Sequence, residues 1–168
     1  MRLSVVLCIV MVAACYGGTI QRHKRDLIQF ATILRCATDR ENLMDVLFEF
    51  NGYGCYCGKG GKGEPVDGLD QCCKVHDDCY ENLRNANTCK NNFNLYAASY
   101  QYTKENCDTA EPTITCKPAS EYDSSWLVLF LRSDECVAGL CQCDVEAAKC
   151  FAQQELNENY KNHPKNTC

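Results

Sequence analysis

The sequence predicts a mainly α-helical, disulfide-rich domain. Its expected parts are an N-terminal helix, a glycine-rich loop, two long antiparallel helices stapled by disulfides, and a small two-stranded β-hairpin. Three observations carry that expectation. The chain has 16 cysteines in 168 residues, which reads as a covalent framework. Cys72 and Cys79 share a seven-residue interval with Cys143 and Cys150, about two helical turns or roughly 10.5 Å. Glycines crowd the stretch from Asn51 to Gly63, where no regular helix can persist.

Residues Met1 to Cys15 begin with a single basic residue, Arg2, and continue as the apolar run LSVVLCIVMVAAC. That run is too short to span a bilayer and suits the core of a secretory leader. Cleavage is expected between Cys15 and Thr19, giving a leader over 1–18 and placing the protein outside the cell. Arg22-His23-Lys24-Arg25 is a tight basic cluster of the kind a proprotein convertase reads. It marks 19–25 as a propeptide and 26–168 as the mature domain. Removing Arg2, Arg22, Lys24 and Arg25 leaves 13 Lys+Arg against 22 Asp+Glu, a charge near −9. Such a domain is repelled by nucleic acid and by strongly anionic membranes.

Cys8 and Cys15 leave with the leader, so 14 cysteines remain, an even number that suits seven disulfides. Zinc is the rival reading of Cys55-x-Cys57 and Cys72-Cys73. An oxidising compartment removes its thiolate ligands, and vicinal cysteines cannot easily share one tetrahedral ion. If the Cys72 and Cys143 segments are antiparallel helices, Cys72 pairs with Cys150 and Cys79 with Cys143. Parallel helices would require the opposite pairing.

In order along the chain, Leu27, Phe30, Ile33 and Leu34 form an apolar stripe over Asp26 to Arg35, with Asp26 complementing the helix dipole. Glu41 to Phe50 supplies a second short helical piece, and the glycine-rich loop follows. A long helix is expected over Val66 to Asn85, its start marked by Pro65, Asp67 and Asp70. Cys89 to Cys116 is polar and asparagine-rich. Trp126 to Leu131, within Lys117 to Glu135, is a six-residue apolar run read as a strand of the hairpin. Cys136 to Leu156 regains helical periodicity through Val137, Leu140, Val145, Ala147, Ala148 and Phe151. With no internal repeat, linker or N-x-[ST] sequon, one domain is expected, its modest core reinforced by disulfides.

The octet Cys72-Cys73-Lys74-Val75-His76-Asp77-Asp78-Cys79 carries the chemistry. It sets an imidazole, the commonest general base near neutral pH, beside a carboxylate able to hold a hard cation. That combination points to a calcium-dependent hydrolase.

Tyr53-Gly-Cys-Tyr-Cys-Gly-Lys-Gly-Gly61, the run CCKVHDDCY ending at Tyr80, and Leu140 followed by CQCDVEAAKC together resemble secreted phospholipase A2, nearest the pancreatic and elapid type. The resemblance implies pairs 36–107, 55–168, 57–73, 72–150, 79–143, 89–136 and 116–141, and a two-stranded β-wing. It implies one calcium ion held by the carbonyls of Tyr56, Gly58 and Gly60 and the Asp77 carboxylate, in what becomes a glycine-rich calcium loop. His76 would be the general base that activates water, and Asp144 the carboxylate that orients it. Tyr80 and Tyr100 would hydrogen-bond Asp144, with Tyr102 as the alternative to Tyr100. Leu27, Phe30 and Leu34 would line the acyl channel, and the partner would be a phospholipid membrane or micelle surface. His23 and His163 are left as surface residues. The second reading is a catalytically idle module that binds calcium, mineral or a receptor. Two departures from the family pattern stand out. About three extra residues lie between Cys36 and Cys55, and about a dozen extra lie in Lys117 to Glu135. There the Trp126 to Leu131 run would either extend the wing as a lipid-contacting patch or pack on the protein itself.

Overall fold

The computed structural model describes residues 27–38, 42–89, 98–107, 109–122 and 133–168. The leader, the propeptide, Asp26 and the Trp126 to Leu131 run lie outside them. Helix α1 occupies 27–38, continuing beyond Arg35, with Ala31, Ile33 and Leu34 turned into the core. Helix α2, Leu43–Phe50, starts where the Asn42 side chain accepts the Met44 amide at 2.9 Å. Asparagine there satisfies a donor that the first turn leaves unpaired.

Helix α3 spans Gly68–Asn85 and α4 spans Asp134–Phe151. The expected start of α3 at Val66 moves to Gly68 because Asp67 caps the helix, accepting the Asp70 amide at 2.8 Å. Likewise Ser133 caps α4, and that helix ends at Phe151, short of Leu156. The bonds Cys72–Cys150 and Cys79–Cys143, with Cα separations of 5.7 and 5.8 Å, run in reversed order and hold α3 and α4 antiparallel. Gly139 lets them close: a Cβ there would meet Leu83 Cδ2 at 2.7 Å. Five further disulfides, 36–107, 55–168, 57–73, 89–136 and 116–141, bring the described set to the seven pairs expected.

The described residues contain the expected two-stranded antiparallel sheet, and the Trp126 to Leu131 run falls outside them. Strand β1, Tyr102–Glu105, pairs antiparallel with β2, Thr113–Cys116, with Tyr102 opposite Cys116. Of these eight residues only Ile114 is buried, so one face is solvated and the ribbon is tied to α4 by Cys116–Cys141. Such a ribbon carries little of the hydrophobic signal that marks a strand. The core lies between α1, α2, α3 and α4, where Ile33, Val46, Leu69, Val137, Leu140 and Phe151 pack with the cysteines.

Candidate active site

His76 projects from the middle of α3, and Asp144 from α4 next to Cys143. The Cys79–Cys143 bond draws those two turns together. His76 Nε2 lies 2.6 Å from Asp144 Oδ1, the imidazole side chain 16 % exposed and the carboxylate 1 %. A carboxylate can only accept, so Nε2 carries a hydrogen, and in the neutral imidazole this tautomer leaves the lone pair on Nδ1. The imidazole is thereby oriented as a base.

Asp144 is buried and fully engaged. Tyr80 donates to Oδ1 at 2.8 Å, and the Tyr100 hydroxyl donates to Oδ2 over a short bond. Tyr100, not Tyr102, makes this contact. Burial first, and then the Asp144 charge, push the Tyr100 pKa far above the usual tyrosine value, so it is a permanent donor. Three hydrogen bonds offset much of the cost of holding a carboxylate in the interior. Phe30 stacks flat on the imidazole, ring centres 4.5 Å apart and planes 9° apart, and fixes its orientation from the other side.

Of the expected channel residues, Phe30 thus touches His76, Leu27 is exposed on the first turn of α1, and Leu34 is buried within the core. Gln29, one residue before Phe30, donates to the Tyr100 carbonyl at 2.8 Å, tying α1 to the segment that supplies Tyr100. His163 lies apart from this cluster, its Nε2 3.2 Å from Thr167 Oγ1.

The glycine-rich loop is shaped by Asp70, whose position in the sequence marks only the start of α3. Asp70 is fully buried and accepts the amides of Cys55 at 2.7 Å, Tyr56 at 2.8 Å and Val66 at 3.0 Å. Gly54 permits the approach, with φ of +55° and a hypothetical Cβ only 2.3 Å from Asp70 Cγ. The signal was present in spacing: Asp70, Cys73 and Asp77 stand at i, i+3 and i+7 on α3, one face, and Cys73 is bonded to Cys57 of the loop.

With the amides turned toward Asp70, the carbonyls of Tyr56, Gly58 and Gly60 make no backbone hydrogen bond among the described residues. Gly58 has φ of +99°, a conformation costly for a side chain. Asp77 projects one turn beyond Cys73. Loss of hydration raises its pKa, while His76 and, more weakly, Lys165 pull it down; the residue as a whole stays open to solvent, so this desolvation is partial. Carbonyls without backbone partners and one carboxylate would together offer only oxygen donors, the kind calcium takes rather than a softer ion. By contrast Cys55, His163 and Cys168 cluster within 4.8 Å, but the two cysteines bond each other and offer no thiolate.

An imidazole oriented by a buried carboxylate, on a helix that a disulfide ties to the glycine-rich loop, is an arrangement suited to hydrolytic chemistry. The family model for phospholipase A2 matches residues 27–161. A phospholipase A2 of Acanthaster planci is 37 % identical over 98 % of this chain and 96 % of its own length. That of Bos taurus is 36 % identical over the whole of both chains, and a basic phospholipase A2 of Micrurus corallinus is 34 % identical over 97 % of this chain and 94 % of its own. This chain belongs to the phospholipase A2 family and is a lipid-ester hydrolase.

Proposed function

We propose that the protein is a secreted, calcium-dependent phospholipase A2 acting at a membrane or micelle surface. It hydrolyses the sn-2 ester of glycerophospholipids to a fatty acid and a lysophospholipid. The observation that carries this reading is the 2.6 Å contact between His76 Nε2 and Asp144, which leaves Nδ1 as the available base.

In this mechanism His76 Nδ1 takes a proton from a water as its oxygen attacks the ester carbonyl. The same proton then passes to the glycerol oxygen as the ester C–O bond breaks. Asp144 stabilises the transient imidazolium, and Tyr80 and Tyr100 hold Asp144 in place. Calcium, bound by the carbonyls of Tyr56, Gly58 and Gly60 and by Asp77, would polarise the ester carbonyl and stabilise negative charge on its oxygen. Phe30 walls the site against bulk water, Leu27 meets the lipid at the rim, and Leu34 backs the channel from the core. Among the described residues no helix is long and apolar enough to cross a membrane, which suits a protein that meets lipid from the aqueous side after losing 1–18 and 19–25.

The test is fatty-acid release from phosphatidylcholine vesicles labelled at the sn-2 chain, with millimolar calcium and with excess chelator. Release that disappears with chelator is expected. Release that persists would remove calcium from the mechanism, and no release from oxidised, folded protein in either condition would overturn the assignment.

A further inference from the structure

We infer that Lys165 is a built-in competitor of the cation loop: its ammonium, held on the Cys57 carbonyl between Tyr56 and Gly58, weakens divalent-cation binding and sets the concentration at which the loop fills. This rests on the reading of Tyr56, Gly58, Gly60 and Asp77 as the calcium cradle.

The Lys165 ammonium donates to the Cys57 carbonyl at 3.3 Å across a sequence separation of 108. That carbonyl also accepts the Gly52 amide at 3.1 Å, so it is already committed inside the loop. The lysine is half-buried and makes no ion pair among the described residues. Lys74 and Lys161, in contrast, each reach a carboxylate, at 2.6 Å to Asp78 and 2.8 Å to Glu158. A cation partly withdrawn from water and held on a loop carbonyl, with no ion-paired carboxylate among the described residues, places positive charge beside the carbonyls a metal ion would seek.

Its place is not an accident of a loose tail. His163 donates its amide to the Gly52 carbonyl at 3.0 Å, two residues before Lys165. Cys168, three residues after it, is bonded to Cys55. The segment is therefore anchored to the loop on both sides of the lysine.

A divalent ion entering the loop feels twice the repulsion that a monovalent ion would. At surface-like screening this amounts to about 3- to 10-fold in affinity, and it shrinks with added salt. A lysine acting only as a structural tether would have the opposite sign, since its removal would loosen the loop and weaken binding.

Calorimetric titration of calcium into the disulfide-intact protein separates these cases without reference to turnover. Lys165→Met keeps the reach and removes the charge, Lys165→Gln does so with a polar end, and Lys165→Arg keeps the charge; melting curves confirm that each variant is folded. The expected result is about 3- to 10-fold tighter calcium binding for the Met and Gln variants at low ionic strength, a smaller gap in high salt, and Arg close to the parent. Affinity of both neutral variants equal to or below the parent's would overturn the inference alone. A parent protein that binds no calcium at any salt concentration would overturn the cradle itself, and this inference with it.

Discussion

Asp144→Asn isolates the carboxylate charge from its geometry. Asp144 Oδ1 faces His76 and Tyr80, and Oδ2 faces Tyr100. Asparagine can keep its one oxygen on the first side and turn its NH2 toward Tyr100, whose hydroxyl can rotate to accept. The imidazole then keeps its hydrogen on Nε2 and its lone pair on Nδ1. What is lost is the negative charge beside the imidazolium that forms as water is deprotonated. A charge-assisted hydrogen bond contributes about 1.5–3 kcal/mol, so kcat should fall roughly 10- to 100-fold, with little change in KM. Fatty-acid release by titration on phosphatidylcholine micelles measures this, with His76→Gln as the inactive baseline. Tyr100→Phe gives the complementary result: the charge remains but one buried oxygen loses its donor, so the melting temperature should fall more than kcat. An Asp144→Asn enzyme with unchanged kcat, beside a dead His76→Gln, would refute the idea that this carboxylate stabilises the imidazolium.

Two further outcomes follow from buried polar groups. Asp70→Asn replaces an acceptor of three short amide bonds with a group that turns its NH2 on some of them; a loss of about 3 kcal/mol and weaker calcium binding are expected, and an unchanged melting temperature and affinity would show that the loop holds its shape without it. Tyr53, pushed up to about 12 by burial and by its hydrogen bond to Asp67, keeps its proton more tightly folded than unfolded. Its contribution is therefore complete below pH 10 and lost as pH rises toward about 12, so Tyr53→Phe should flatten the fall in melting temperature across that window. An identical alkaline decline in the two proteins would count against this.

How much of this was legible in the sequence depends on how local each constraint is. The two helix staples could be read because both cysteines of each pair sit on a regular helix, where a seven-residue interval has a fixed length and antiparallel packing fixes the order. The other five bonds join loops, strands and termini, whose paths no spacing dictates. Asp144 comes beside His76 for the same reason, since bonded Cys143 and Cys79 carry their neighbours with them. Tyr100 and Tyr102 defied it, because the chain between Cys89 and β1 has no period to say which hydroxyl reaches inward. The described ribbon of Tyr102–Glu105 and Thr113–Cys116 buries only Ile114, so its strands carry too little apolar alternation to be located from the sequence. Asp70 and Lys165 share a different cause. A buried carboxylate and a half-buried ammonium look, in sequence, like any other charges, and only the backbone amides and carbonyls that meet them give them meaning. The glycine-rich loop exposes those groups: Asp70 takes amides of the loop, and Lys165 donates to the Cys57 carbonyl, which also accepts the Gly52 amide. On the proposed reading, the affinity of the site would be tuned by residues outside its ligand set, and these are residues that no motif contains.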